Sequence, residues 1–95
     1  TQIEEVLLQI QEIGPHYEIL VERKNRLDVM TITVELVDDR LLDSYAQLSE
    51  LEQKIKKGLK AQLGLATHIK LVAPYSLQRF EGKAKRVTDL RKDGL

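Results

Sequence analysis

Apolar residues recur at Ile3, Val6, Leu7, Ile10 and Ile13, the three- and four-residue spacing of a helix with one buried stripe. Thr1 and Glu4 stand at capping-box spacing, where each side chain satisfies the other residue's orphan amide, so the pattern predicts a helix from about Gln2 to Glu12. Gly14-Pro15 is expected to stop it, because proline cannot continue the hydrogen-bond ladder and biases the preceding residue away from helix. Tyr17, Ile19 and Val21 then alternate with His16, Glu18, Leu20 and Glu22, the period of a half-buried strand. After a polar turn at Arg23-Lys24-Asn25-Arg26, Met30, Ile32, Val34 and Leu36 form one face of a second strand. Val29, Thr31, Thr33 and Glu35 form the other, with β-branched residues suited to a pleated surface. These two strands are expected to pair as an antiparallel hairpin.

Asp38-Asp39 ends the hairpin, and Leu41, Tyr45, Leu48, Leu51, Ile55, Leu59 and Leu63 then trace one face of a long helix. Gly58 inside it costs about 1 kcal/mol relative to alanine, and Gly64 is the expected C-terminal cap. His68-Ile69-Lys70-Leu71-Val72 reads as a third strand closed by Pro74. A short basic element from Lys85 to Leu90 fits strand or helix. The pattern is α+β, an αββαβ domain with a three-stranded antiparallel sheet and both helices on one face. That architecture hosts many unrelated functions, so chemistry has to come from particular residues.

At 95 residues the chain makes one domain able to bury about 60 to 70% of its unfolded surface. It has no cysteine, which removes disulfides and thiolate zinc sites, and its two histidines, His16 and His68, are far apart in sequence. No metal site is expected. Fifteen basic residues balance fifteen acidic ones, which argues against a general nucleic-acid or membrane-surface binder. The few aromatic residues, Tyr17, Tyr45, Tyr75 and Phe80, are too scattered to form a base-stacking platform. No apolar run reaches the roughly 20 residues of a membrane span, and no signal-peptide pattern opens the chain, so a cytoplasmic setting is expected. The chain begins directly in a helical pattern without an initiator methionine and reads as a piece of something longer.

Most candidate sites have an ordinary structural explanation. His16 and His68 open predicted strands, where an exposed histidine is unremarkable. Glu4-Glu5 are adjacent on a helix and do not face each other, and Asp38-Asp39 lie in a connection. The charge balance does break locally: from Arg79 to Leu95, Arg79, Lys83, Lys85, Arg86, Arg91 and Lys92 outnumber Glu81, Asp89 and Asp93. Within that tail, Gly82-Lys83 is where a flexible backbone presents a lysine. It is no phosphate-cradling P-loop, because Leu77 replaces the required first glycine and Ala84 the hydroxyl residue after the lysine. Taken alone, a Gly-Lys step is also common in solvated loops.

Read together, Gln2-Ile3-Glu4-Glu5-Val6-Leu7, Gly14-Pro15-His16-Tyr17 and Arg79-Phe80-Glu81-Gly82-Lys83-Ala84-Lys85-Arg86-Val87 resemble, in this order, the small C-terminal domain of phenylacetate-coenzyme A ligases. These belong to the adenylate-forming superfamily of acyl- and aryl-CoA synthetases, and the resemblance covers nearly the whole chain. Thr1 stands where the family commonly has serine, and Phe80 where it has a small polar residue. The resemblance implies a mobile domain hinged to an N-terminal adenylation domain that is missing from this chain. It implies a two-step enzyme that uses ATP, magnesium and coenzyme A, with Lys83 as the adenylation lysine. Gly82 would let the backbone approach closely, while Arg79, Lys85 and Arg86 would face ATP or coenzyme A phosphates or merely solvate the loop. The isolated chain would be inert. The competing expectation is a non-enzymatic, ferredoxin-like module that senses a small molecule or pairs edge to edge in a homodimer.

Overall fold

A computed structural model of the chain describes residues 2–64, 66–77 and 85–90. Helix α1 (Gln2–Leu8) leads into strand β1 (Ile13–Lys24), which turns into β2 (Leu27–Leu36). A 3₁₀ turn at Asp39–Asp43 precedes helix α2 (Tyr45–Leu63), followed by β3 (His68–Val72) and β4 (Lys85–Asp89). The proposed Thr1 cap lies outside the described residues.

The α+β class and the helix-hairpin-helix-strand order agree with the sequence reading, while the sheet departs from the expected three antiparallel strands. It has four strands in the order β3-β2-β1-β4 and is mixed: β1 and β2 are antiparallel, and the two outer pairs are parallel. The cause is the length of the β2-to-β3 connection. A 19-residue α2 extends about 28 Å, enough to carry the chain back to the starting end of the sheet, so β3 must run in the same direction as β2. The element at Lys85, open between strand and helix, is a strand.

Helix α1 ends earlier than its apolar period suggests. Gln9 and Ile10 donate to the carbonyls of Val6 and Leu7 at 3.3 and 3.1 Å, tightening the last turn into 3₁₀ geometry. The ladder then takes over: Ile13 pairs with Leu36, and Val37 donates to the Glu12 carbonyl at 3.1 Å. Gly14-Pro15 consequently lies inside β1, at the register shift between Ile13 and Tyr17. Pro15 is tolerated there because it falls within the shift, where the β1–β2 register is interrupted and its missing N–H breaks no regular pair with β2.

The hairpin closes through Asn25 and Arg26, both at positive φ (50° and 67°), as a two-residue type I′ turn requires. Ser44 caps α2 by accepting from the Gln47 amide at 3.3 Å, and Gly64 ends it in the left-handed conformation at φ 67°. One core joins Val6, Leu7 and Ile10 of the N-terminal segment, Tyr17 and Ile19 of β1, Ile32, Val34 and Leu36 of β2, Ile69 of β3, and Leu51, Ile55 and Leu59 of α2. Both helices share that core and touch each other, so they occupy the same face of the sheet. Tyr45 is the exception on the predicted stripe. It is 85% exposed because α2 begins there, while Leu41 packs against the core from the 3₁₀ turn.

Candidate functional site

Strand β4 and a turn after β3 flank the basic segment singled out in the sequence. Residues 78–84, including Arg79, Gly82 and Lys83, lie outside the described residues, so the structure bears on their flanks. On the C-terminal side, Lys85 and Arg86 occupy the first two registers of β4, opposite Tyr17 and Glu18 of β1. The ladder runs to Asp89 opposite Val21, and Leu90 extends it by donating to the Val21 carbonyl at 2.7 Å.

The N-terminal side is built differently. Val72, the last residue of β3, stands opposite Glu35 of β2. The chain then reverses at Ala73–Ser76, where the Ser76 amide donates to the Ala73 carbonyl at 3.2 Å. Pro74 suits the second position of this turn, and Tyr75 takes a positive φ of 62° at the third, a position that favours glycine or asparagine. Tyr75 is also 86% exposed, so burial of its ring does not offset the strained backbone. One residue beyond the turn, the Leu77 amide donates to Glu35 Oε2 at 2.8 Å.

Glu35 is only 4% exposed and is the one buried polar or charged residue among those described. It lies on the β2 face opposite Ile32, Val34 and Leu36, where Thr31 and Thr33 are half-buried. Burial of a carboxylate is costly unless it is hydrogen-bonded, and the Leu77 amide supplies such a bond. A cavity of about 330 Å³ opens beside it. Its walls are the β1 irregularity at residues 14–16, the end of β2 at residues 35–37 and the turn at Pro74-Tyr75. His16 thus lines the same cavity as Glu35, whereas His68 starts β3 and is exposed.

A larger cavity of about 520 Å³ lies between Lys56, Lys57, Lys60 and Ala61 of α2 and Ala66-Thr67. It shares no residue with the walls around Glu35, so its size does not connect it to the basic segment. Among the described residues no group of three or more His, Asp or Glu side chains is arranged to hold a metal ion. None of their helices is long and apolar enough to cross a membrane.

The sequence reading missed Glu35 and Tyr75. Glu35 resembled any polar residue on the outer face of a strand, and its burial depends on a turn 40 residues later. Proline followed by a turn was visible at Pro74, but the positive φ of Tyr75 has no local signal.

The family model for the AMP-binding enzyme C-terminal domain matches residues 1–91. Phenylacetate-coenzyme A ligase of Escherichia coli is 33% identical over 96% of this chain, and that of Pseudomonas putida 37% identical over the same share. In both cases the alignment spans 21% of the relative, so the chain corresponds to about a fifth of their length. A solved domain of phenylacetate-coenzyme A ligase from Bacteroides vulgatus superposes with a TM-score of 0.82 at 37% identity, covering 97% of this chain and 83% of that one. The 2-hydroxyisobutyryl-CoA ligase in complex with 2-HIB-AMP and CoA, in its thioesterification state, also gives 0.82, at 28% identity, over 95% of this chain and 19% of that one.

Proposed function

Because the chain belongs to the AMP-binding enzyme C-terminal domain family, we propose that it works as the mobile small domain of a two-domain, cytoplasmic ligase of the phenylacetate-coenzyme A ligase type. Its partner is an N-terminal adenylation domain. In the first half-reaction a carboxylate oxygen of an aryl acid attacks the α-phosphorus of ATP, and the bond to the leaving pyrophosphate breaks. In the second, the thiol of coenzyme A attacks the acyl carbon, AMP leaves with the shared oxygen, and the thiol proton is lost.

Lys83 is assigned to the first step. Carboxylate and α-phosphate are both anionic, and an ammonium reaching both lowers their repulsion and stabilises charge in the transition state. Gly82 permits close backbone approach, and Arg79, Lys85 and Arg86 are candidate contacts for ATP or coenzyme A phosphates. Magnesium would enter with ATP and neutralise phosphate charge. The observation that carries the reading is the family match over residues 1–91, which includes Lys83 and its flanking residues. The existence of separate postadenylation and thioesterification states of 2-hydroxyisobutyryl-CoA ligase supports a domain that serves two half-reactions. With these relatives all ligases, the sensing or dimerisation module is not favoured.

Replacing Lys83 by alanine in the full-length enzyme should slow adenylation by at least ~10²-fold, the scale of one lost preorganised electrostatic group. Thioester formation from preformed acyl-adenylate should be retained. ATP-pyrophosphate exchange reads the first step, and an unchanged rate in Lys83→Ala rejects the assignment. Exchange activity in the isolated 95-residue chain would reject the two-domain reading.

A further inference from the structure

We propose that the cavity of about 520 Å³ at the end of α2 is an accessory site for a small organic carboxylate with an apolar body, held by Lys57, Lys60 and the Thr67 hydroxyl. It draws only on α2 and the residues leading into β3 and stands apart from the assignment of Lys83. Lys60 is four residues from Lys56 and three from Lys57, so on the helix surface it neighbours both. Like charges at these spacings destabilise a helix. The negative end of the helix dipole accounts for Lys60, in the last turn, but fades beyond that turn and leaves Lys56 and Lys57 unexplained. Lys56 is paired with Glu52 at 3.1 Å, whereas no ion pair holds Lys57 or Lys60 among the described residues.

Two observations say what would neutralise these cations. The facing wall, Ala66-Thr67, carries no charge, and with Ala61 and the lysine stems it makes the lining largely apolar. An anion charged all round would lose hydration there without apolar contact in return. An anion with an apolar body keeps its head among the ammonium groups and lays the body against the alanines. Thr67 also lines the cavity, and its hydroxyl is buried with no hydrogen-bond partner among the described residues. Such a hydroxyl is a donor in want of an acceptor. A carboxylate supplies one, and its remaining lone pairs accept from the lysines in charge-assisted bonds. The volume is that of a small-molecule site.

The test is an NMR titration of the isotope-labelled 95-residue chain with hydrocinnamate, an aryl-substituted carboxylate. Saturable amide shifts should appear at Lys57, Lys60, Ala61, Ala66 and Thr67. Hydrocinnamamide, which keeps the body and loses the charge, should bind about tenfold more weakly. Inorganic phosphate, which has charge and no body, should bind about tenfold more weakly as well. Lys57→Gln and Lys60→Gln should each weaken hydrocinnamate binding about threefold to fivefold, and salt at about 0.5 M should have a similar effect. Thr67→Val separates a binding role from a structural one. Loss of a hydroxyl that has no partner should leave the urea unfolding midpoint unchanged or higher, while binding weakens about threefold. The proposal is overturned if no saturable shift appears at these residues, or if the amide or phosphate binds as tightly as the carboxylate. A Thr67→Val chain with a lowered midpoint and intact binding overturns it too.

Discussion

Gly58 tests how the two helices meet. A Cβ built at this position would lie 3.0 Å from Val6 Cγ1, and Val6 is 3% exposed on α1. In an open helix, Gly58→Ala would gain about 1 kcal/mol from propensity. Here the added methyl must displace a buried, β-branched side chain with little rotamer freedom, and overpacking of this kind costs about 1 to 3 kcal/mol. The two effects leave Gly58→Ala about 1 kcal/mol less stable. Val6→Ala should lose about 2 kcal/mol, from two carbons at ~0.8 kcal/mol each plus a small cavity. In the double variant the new methyl occupies the space vacated by valine, and the propensity gain is recovered. Its net loss should be about 1 kcal/mol instead of the additive 3, a coupling near 2 kcal/mol. Urea unfolding of the four proteins measures the cycle, with m-values checked for constancy. Additivity within about 0.5 kcal/mol, or a Gly58→Ala variant stabilised by about 1 kcal/mol, would refute the close contact.

Two further predictions concern local conformation and charge. Arg26 sits at φ 67° in the hairpin turn, a conformation costing a side-chain-bearing residue about 1 to 2 kcal/mol; after glycine's larger unfolded-state entropy is subtracted, Arg26→Gly should stabilise the domain by about 0.5 to 1 kcal/mol, and a loss in denaturant midpoint would contradict the turn assignment. The Asp38 carboxyl is held below the usual aspartate range, chiefly by its hydrogen bond from the Arg40 side chain and then by that from the Arg40 amide. Its folded-state pKa is depressed, so the stabilisation is present above the unfolded pKa and fades as pH falls through the folded one. An NMR titration should find the Asp38 midpoint low and should find it raised in Arg40→Ala; identical midpoints would count against the pair.

Elements defined by near neighbours could be read directly from the chain. The β1-β2 alternation, the Gly64 cap and the stripe from Leu48 to Leu63 each depend on residues a few positions apart, and each is present. The end of α1 was misjudged because Ile10 and Ile13 remain buried after the helix has stopped, so burial keeps the helical period while the backbone no longer does. Strand direction was also hidden, since pairing between Thr31 and His68 or Tyr17 and Lys85 is decided by connections of dozens of residues. Gly58 looked like a weakness in α2 and is where α1 comes close. At the site, the chemistry assigned to Lys83 came from a resemblance, while the hydrogen bond from the Leu77 amide to Glu35 became visible only when distant segments were brought together.

Strand β4 gives the domain two separate stabilities. Val87 is 55% exposed and Thr88 half-buried, and both are held in the ladder with β1, opposite Ile19 and Leu20. Such a strand can detach in a sub-global opening while the helices and the other three strands stay folded. The energetic threshold for releasing β4 is therefore set below that for unfolding the domain.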